Sequence, residues 1–157
     1  MKAILFALFA LVATICAKSP VAKSFISDPY KVKVADEYYF SLKSVDSAKL
    51  MMSDLTSKGT KSPPFTFESL GSMVRLGDSL IFAADQGKGS ELYSFSPNGK
   101  DTKPRLIMDL VADGSSSPQE LTVLGEQVFF SASDGKRREL YVFDGKNNSV
   151  STVAAAY

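Results

Sequence analysis

Two glutamates sit in the same short motif, Glu91-Leu92-Tyr93 and Glu139-Leu140-Tyr141. A pair of carboxylates is a catalytic constellation this chain could still assemble. Set either side of a glycosidic bond, one acid protonates the leaving oxygen while the other acts as base or nucleophile. Several other reaction classes lack their residues. The chain has no His, and its single Cys is Cys16, so no Ser-His-Asp triad and no nitrogen-and-sulfur zinc site can form. The recurrence of the glutamate also argues against catalysis, because an active site is built once and is not copied into each repeat. The expectation is structural: each Glu caps or bridges backbone groups between neighbouring strands, in a protein that is no enzyme and carries no cofactor.

Weaker signals point the same way. Asp85, Asp113 and Asp134 lie in Gly-containing loops, where oxygen ligands could gather around calcium. No Asp-x-Asp-x-Asp spacing occurs, and Asp-Gly is ordinary turn chemistry, so no metal is expected. Lys136-Arg137-Arg138 reads as a solvated loop rather than a polyanion site. Tyr38 and Tyr39 could stack on a sugar in a chain without Trp, but their place inside a strand makes them expected core. Asn147-Asn148-Ser149 is a glycosylation sequon, with Asn147 as the candidate.

The elements that position these residues repeat. Residues 76–95 realign with 124–143 without a gap, and ten of the twenty positions are identical, among them Gly77 with Gly125 and Phe82 with Phe130. A fainter copy lies 42 residues upstream, with Val34, Phe40 and Leu50 opposite Leu76, Phe82 and Leu92. A fixed period of this length marks stacked supersecondary units. The middle unit resolves into strands over 73–76, 79–84, 91–95 and 105–110, and the last repeats the scheme and closes on 149–153. Gly77-Asp78 and Gly125-Glu126 suit type II′ hairpins; Asn98-Gly99, Asp134-Gly135 and Asp144-Gly145 suit type I′.

The second strands are apolar on both faces: Leu80 and Phe82 oppose Ile81, and Val128 and Phe130 oppose Phe129. A sheet with one wet face alternates apolar and polar, whereas one sandwiched between neighbours does not. The expected fold is therefore all-β: about three four-stranded antiparallel blades, β-propeller-like, as an open arc or partial propeller. The units run approximately 30–70, 71–118 and 119–157. A flat β-solenoid is the alternative, but its repeats are usually shorter.

The run Leu-Gly-x-x-Leu/Val-x-Phe-x-Ala, followed by Glu-Leu-Tyr-x-Phe and a Gly turn, resembles the ELWxxDGT repeat. Ser115-Ser116-Ser117-Pro118-x-x-Leu121 is similar to that family's Ser-rich link between units. The resemblance covers residues 70–147 and only poorly 30–62. It implies a secreted or surface protein with propeller-like sheets, and no enzymatic activity follows from it. The chain departs from the pattern at Tyr93 and Tyr141, where the family has Trp, and at Asp144-Gly145-Lys146 in place of Asp-Gly-Thr. The first unit has Lys49-Leu50-Met51 for Glu-Leu-Trp and Ala35 where the turn wants Gly, as expected of a degenerate capping repeat.

Residues 1–17 read as a signal peptide, with Lys2 as the only charge, an apolar run from Ala3 to Ile15 and a small residue at Ala17. The run is too short to span a bilayer. Removing Lys2 leaves 17 basic against 17 acidic side chains, without the basic excess of a nucleic-acid binder. The domain 18–157 is then expected to be secreted and cysteine-free, held by sheet packing without disulfides. The expected function is a non-catalytic extracellular interaction or structural role through a protein partner or self-association. A carbohydrate binder or glycoside hydrolase using a propeller face is the alternative. Three blades leave both ends of the arc uncovered, with the outermost apolar faces expected near Tyr39 and Phe129.

Overall fold

The structure is a computed structural model that describes residues 32–34, 36–43, 46–54, 56, 58–99 and 103–154. The expected signal segment and Ala35 lie outside the described residues. Three antiparallel sheets follow one another along the chain. The first joins β1 (Val32–Val34), β2 (Glu37–Lys43) and β3 (Ala48–Ser53) in that order. The second joins β4 (Ser69–Leu76), β5 (Ser79–Asp85), β6 (Ser90–Phe95) and β7 (Arg105–Met108). The third joins β8 (Gln119–Leu124), β9 (Gln127–Ser133), β10 (Arg138–Asp144) and β11 (Ser149–Ala154). Every pairing joins chain neighbours, so each sheet is a meander. The first strands approach one another from sheet to sheet, β4 lying beside both β1 and β8. That is the radial order of propeller blades, left here as an open arc.

Registers in the three sheets match. Phe40 pairs with Met51, Phe82 with Tyr93 and Phe130 with Tyr141. Because side chains alternate across a strand, these pairs share one face, and Tyr39, Ile81 and Phe129 share the other. Two apolar layers follow. Sheets 1 and 2 bury Tyr39 and Leu50 against Leu80, Phe82 and Tyr93. Sheets 2 and 3 bury Ile81 and Leu92 against Val128, Phe130 and Tyr141. Phe40 and Met51 turn away from sheet 2 and bury with Leu42 in a separate cluster. Tyr39 is thus not on the outermost face, as the sequence reading has it. It aligns with Ile81 rather than Phe82 and is fully buried, its hydroxyl donating to Glu37 at 2.8 Å.

The first sheet has three strands among the described residues where four are expected. Among the described residues, the outer edge of β3 pairs its backbone with the following link at two isolated bridges, Met52 with Lys61 and Ala48 with Phe67. Between them stand Pro63 and Pro64, which have no N–H to continue a ladder. Strand β4 starts at Ser69, earlier than expected, and carries a register shift between Leu70 and Met73.

The hairpin turns divide into two kinds. Gly77 and Gly125 have φ of +58° and +63°. The only described non-glycine residues with positive φ are Ser117, Glu120 and Asn148. Asp78 and Glu126 therefore keep negative φ, as type II′ turns require. The expected type I′ turns do not form. Asp134 and Asp144 keep negative φ, and each closes a longer loop by accepting backbone amides, Lys136 and Arg137 in one case and Lys146 and Asn147 in the other. A side-chain oxygen that caps its own loop competes directly with a tight backbone turn. Gly145 serves close approach instead: a Cβ there would fall 2.5 Å from Leu76 Cδ2 and 3.2 Å from Glu126 O. Gly99 closes a wider turn, its amide donating to Ser96 O at 3.0 Å.

Candidate functional site

Among the described residues, a buried polar constellation with a built geometry joins sheet 2 to sheet 3. Glu91 opens the apolar half of β6, where the alternating Leu92, Tyr93 and Phe95 hold the strand between two layers. Its carboxylate reaches the link that leads into β8. Ser116 N donates to Glu91 Oε1 at 2.7 Å, and Ser116 Oγ donates to Oε2. Ser116 is fully buried, and Glu91 is only 4% exposed. The other side of the serine faces sheet 3, where its carbonyl accepts from Ser133 N at 2.8 Å. Ser117 N donates to Ser90 O at 2.9 Å, and Ser115 Oγ accepts from Ser90 N at 2.9 Å. Glu91 thus bridges two sheets rather than two strands of one sheet. Burial pushes its carboxyl above the usual range, against the opposing pull of the two Ser116 hydrogen bonds.

Glu139 occupies the same place in sheet 3 with different company. It is 7% exposed. Arg137 Nε lies 2.7 Å from its Oε1 as an ion pair, at an angle outside that of a hydrogen bond. That oxygen consequently accepts no hydrogen bond among the described residues. The two glutamates stand in successive sheets and not across a shared cleft, so the geometry does not gather them into a two-carboxylate centre. The tyrosines that follow them are matched. Tyr93 stacks on Phe82 with centroids 6.1 Å apart, and Tyr141 on Phe130 at 5.8 Å. Burial, and then the neighbouring Glu91 or Glu139, raises each phenol above its ordinary value. Leu92 is fully buried, whereas its counterpart Leu140 is 44% exposed.

The loop acids act as turn caps. Asp85 accepts from Gly87 N at 2.7 Å and Gly89 N at 3.0 Å. Asp134 and Asp144 are held below the usual carboxylate value by the backbone amides they accept. Asn147 is exposed in the 145–148 turn, where its Nδ2 donates to Asp144 Oδ2 at 2.9 Å. Tyr38 is only partly buried, on the face away from sheet 2, with Lys33 Nζ 5.6 Å from its ring centroid.

Sequence reasoning missed two things. Ser116 lies 25 residues from Glu91 and was visible only as part of a Ser-rich link. A cleft of about 770 Å³ between the innermost strands β4 and β8 is lined by Gly71, Met73, Ser117 and Glu120 among others. Ser117 and Glu120 hold φ of +45° and +57° there, and β8 shifts register between Gln119 and Thr122. Positive φ at non-glycine residues has no composition signal.

No protein-family model matches the chain, and no curated protein matches it. Among solved structures the chain is similar to TolB from Acinetobacter baumannii, a propeller-containing protein, at a TM-score of 0.58 and 11% sequence identity. The likeness covers 81% of this chain and 32% of the TolB chain, so the chain spans about a third of the structure it matches. At this identity the likeness is one of fold, and it places the three sheets in a propeller-like arc.

Proposed function

We propose that the chain is an exported, non-catalytic repeat protein of the kind the ELWxxDGT resemblance implies, presenting its loops to a protein partner. The observation that carries this reading is the use of Glu91. This acid, one of the two that could have entered carboxylate catalysis, has both oxygens engaged by Ser116 in joining two sheets. A side chain so engaged serves the scaffold, and the variable positions are then the loops on either rim. Strained Ser117 and Glu120 beside the cleft between β4 and β8 make that face the first candidate for contact, since strain held by surrounding structure clusters at binding sites. No helix among the described residues is long and apolar enough to cross a membrane.

The test uses the purified chain in three arms: capture of proteins from its native extracellular material, a glycan array, and a broad glycosidase screen. The reading requires a saturable protein ligand, weakened by substitutions at Glu120 beside the cleft, and silence in the other two arms. Turnover of any glycoside, lost on Glu139→Gln, overturns it in favour of the hydrolase. Export is checked by N-terminal sequencing of secreted material, which should begin near Lys18; a secreted chain retaining Met1 refutes the leader. Asn147 should carry a glycan after passage through a eukaryotic secretory pathway, seen as a mass loss on enzymatic deglycosylation that Asn147→Gln abolishes.

A further inference from the structure

The layer between sheets 2 and 3 is not packed to its end. Where the Gly77, Gly125 and Gly145 turns meet, a cavity of about 500 Å³ opens between the two sheets. It shares no lining residue with the cleft between β4 and β8. Its floor is apolar: Ile81 and Phe143 are buried there, and Leu76 packs against them. From Ile81 a row crosses sheet 2 to Ser94 and on to Arg105, each pair directly opposite on neighbouring strands. The three side chains therefore share the face turned to sheet 3. The corresponding row in sheet 3 runs from Phe129 to Val142. Ser94 thus stands where the next repeat carries a branched apolar side chain, and it puts a hydroxyl into the wall of the cavity instead of bulk.

The polar atoms of this cavity are arranged to donate. Arg105 reaches from β7 to the turn before β11, where its Nη2 donates to Asn148 Oδ1. That contact uses one N–H of the guanidinium and leaves the others of the fork for a ligand. Lys146 lies in the same turn and lines the same cavity. Among the described residues neither cation has an acidic partner. The hydroxyls of Ser79 and Ser96 lie 2.6 Å apart in the wall. Whichever of them donates, the other keeps its hydrogen for an outside acceptor. Glu126 is the one acid in the described lining, so two cations against one acid leave a single net positive charge.

We propose that this cavity binds an organic monoanion, a carboxylate on a compact aliphatic body. The Arg105 fork and Lys146 take the carboxylate oxygens, a planar pair of donors meeting a planar pair of acceptors. The aliphatic body lies on Leu76, Ile81 and Phe143, where its removal from water drives association. A dianionic phosphate would bring a second charge that the lining does not offset. The volume is within the ordinary range of small-ligand sites. Two sources share this chemistry: a free short-chain acid and a peptide ending in an aliphatic residue.

Isothermal titration calorimetry on the full chain at neutral pH tests this. The probes are isocaproate, an acetylated triglycyl-leucine peptide with a free carboxylate, the neutral amide of each, and inorganic phosphate. Saturable binding of isocaproate or of the free-acid peptide is expected, and the tighter of the two identifies the source. The matching amide should bind roughly tenfold more weakly or worse, the weight of one hydrogen bond to a charged group. Arg105→Gln should weaken the acid by a similar factor, and because Arg105 is exposed its far-UV circular dichroism should match that of the wild type. Ser94→Val, which installs the residue found in sheet 3, should abolish binding without lowering thermal stability. A chain that gives no saturable heat with either acid overturns the proposal. So does binding that is equal for acid and amide, indifferent to Arg105→Gln, retained in a folded Ser94→Val chain, or tighter for inorganic phosphate than for both acids.

Discussion

The layer between sheets 1 and 2 and the layer between sheets 2 and 3 join equivalent surfaces by different means. The first is aromatic: Phe67 from the link packs edge-on against Phe82 and Tyr93, with centroids 5.6 and 6.3 Å away, and Phe65 against Phe95 at 5.3 Å. Lys49 stands there where the repeat has glutamate, and it is exposed. The second layer is mainly aliphatic, with Phe130 stacked on Tyr141, and it adds the buried bridge from Glu91 to Ser116. The position of the link relative to the sheets is therefore fixed by rings in one case and by a carboxylate in the other. A repeat that loses its acid keeps its stacking when the link brings bulk in place of donors.

The sharpest way to break this comparison is to empty each layer. Phe82 meets both Phe67 and Tyr93, whereas among the described aromatic residues Phe130 meets only Tyr141. Phe82→Ala should cost about 5 kcal/mol and Phe130→Ala about 3, the two ends of the usual range for a buried Phe. Chemical denaturation measures both, and the reverse order would remove the distinction between the layers.

Removing the bridge is the next largest effect. Glu91→Ala leaves Ser116 N–H and Oγ buried without an acceptor and should cost about 1–3 kcal/mol. In a double-mutant cycle with Ser116→Ala the coupling should be of similar size, and a coupling near zero would mean the pair does not act as a bridge.

Acidity sharpens the same point. Burial holds the Glu91 carboxyl above its unfolded value, so the folded chain keeps that proton more tightly. The contribution is present in full below the unfolded value and is lost as pH rises through the folded one. As pH rises above the ordinary glutamate value, wild-type stability should therefore fall relative to Glu91→Gln. Parallel curves would place the titration elsewhere.

Lys49→Ala, at the equivalent position of sheet 1, should change stability by no more than about 0.5 kcal/mol, as for an exposed surface residue. A larger loss would show that the first layer also relies on a polar contact at this position.

The architecture was legible where the repeat was strong. The apolar runs around Phe82 and Phe130 gave strands covered on both faces, and Gly77 and Gly125 gave the two-residue turns. The signal failed where a side chain competes with the backbone. Asp134 and Asp144 cap their own loops, and that preference is not separable in sequence from an Asp-Gly turn. Pro63 and Pro64 announced the end of a ladder, but the strand expected there had no repeat to correct it. The facing of Tyr39 followed only once its register with Met52 was visible. The bridge was half legible: Glu91 stood out by recurrence and Ser116 by its Ser-rich setting, yet no local rule connects residues 25 apart.

That separation sets an order of events during synthesis. Glu91 leaves the ribosome 25 residues ahead of the serine that answers it. A nascent chain folds from its N-terminus, so sheet 2 first closes around a carboxylate that still needs water. Only when residues 115–117 emerge does that carboxylate lose its solvent to protein donors. The sheet is then sealed by the first residues of the unit that follows it, and each stage of folding waits on the next stretch of translation.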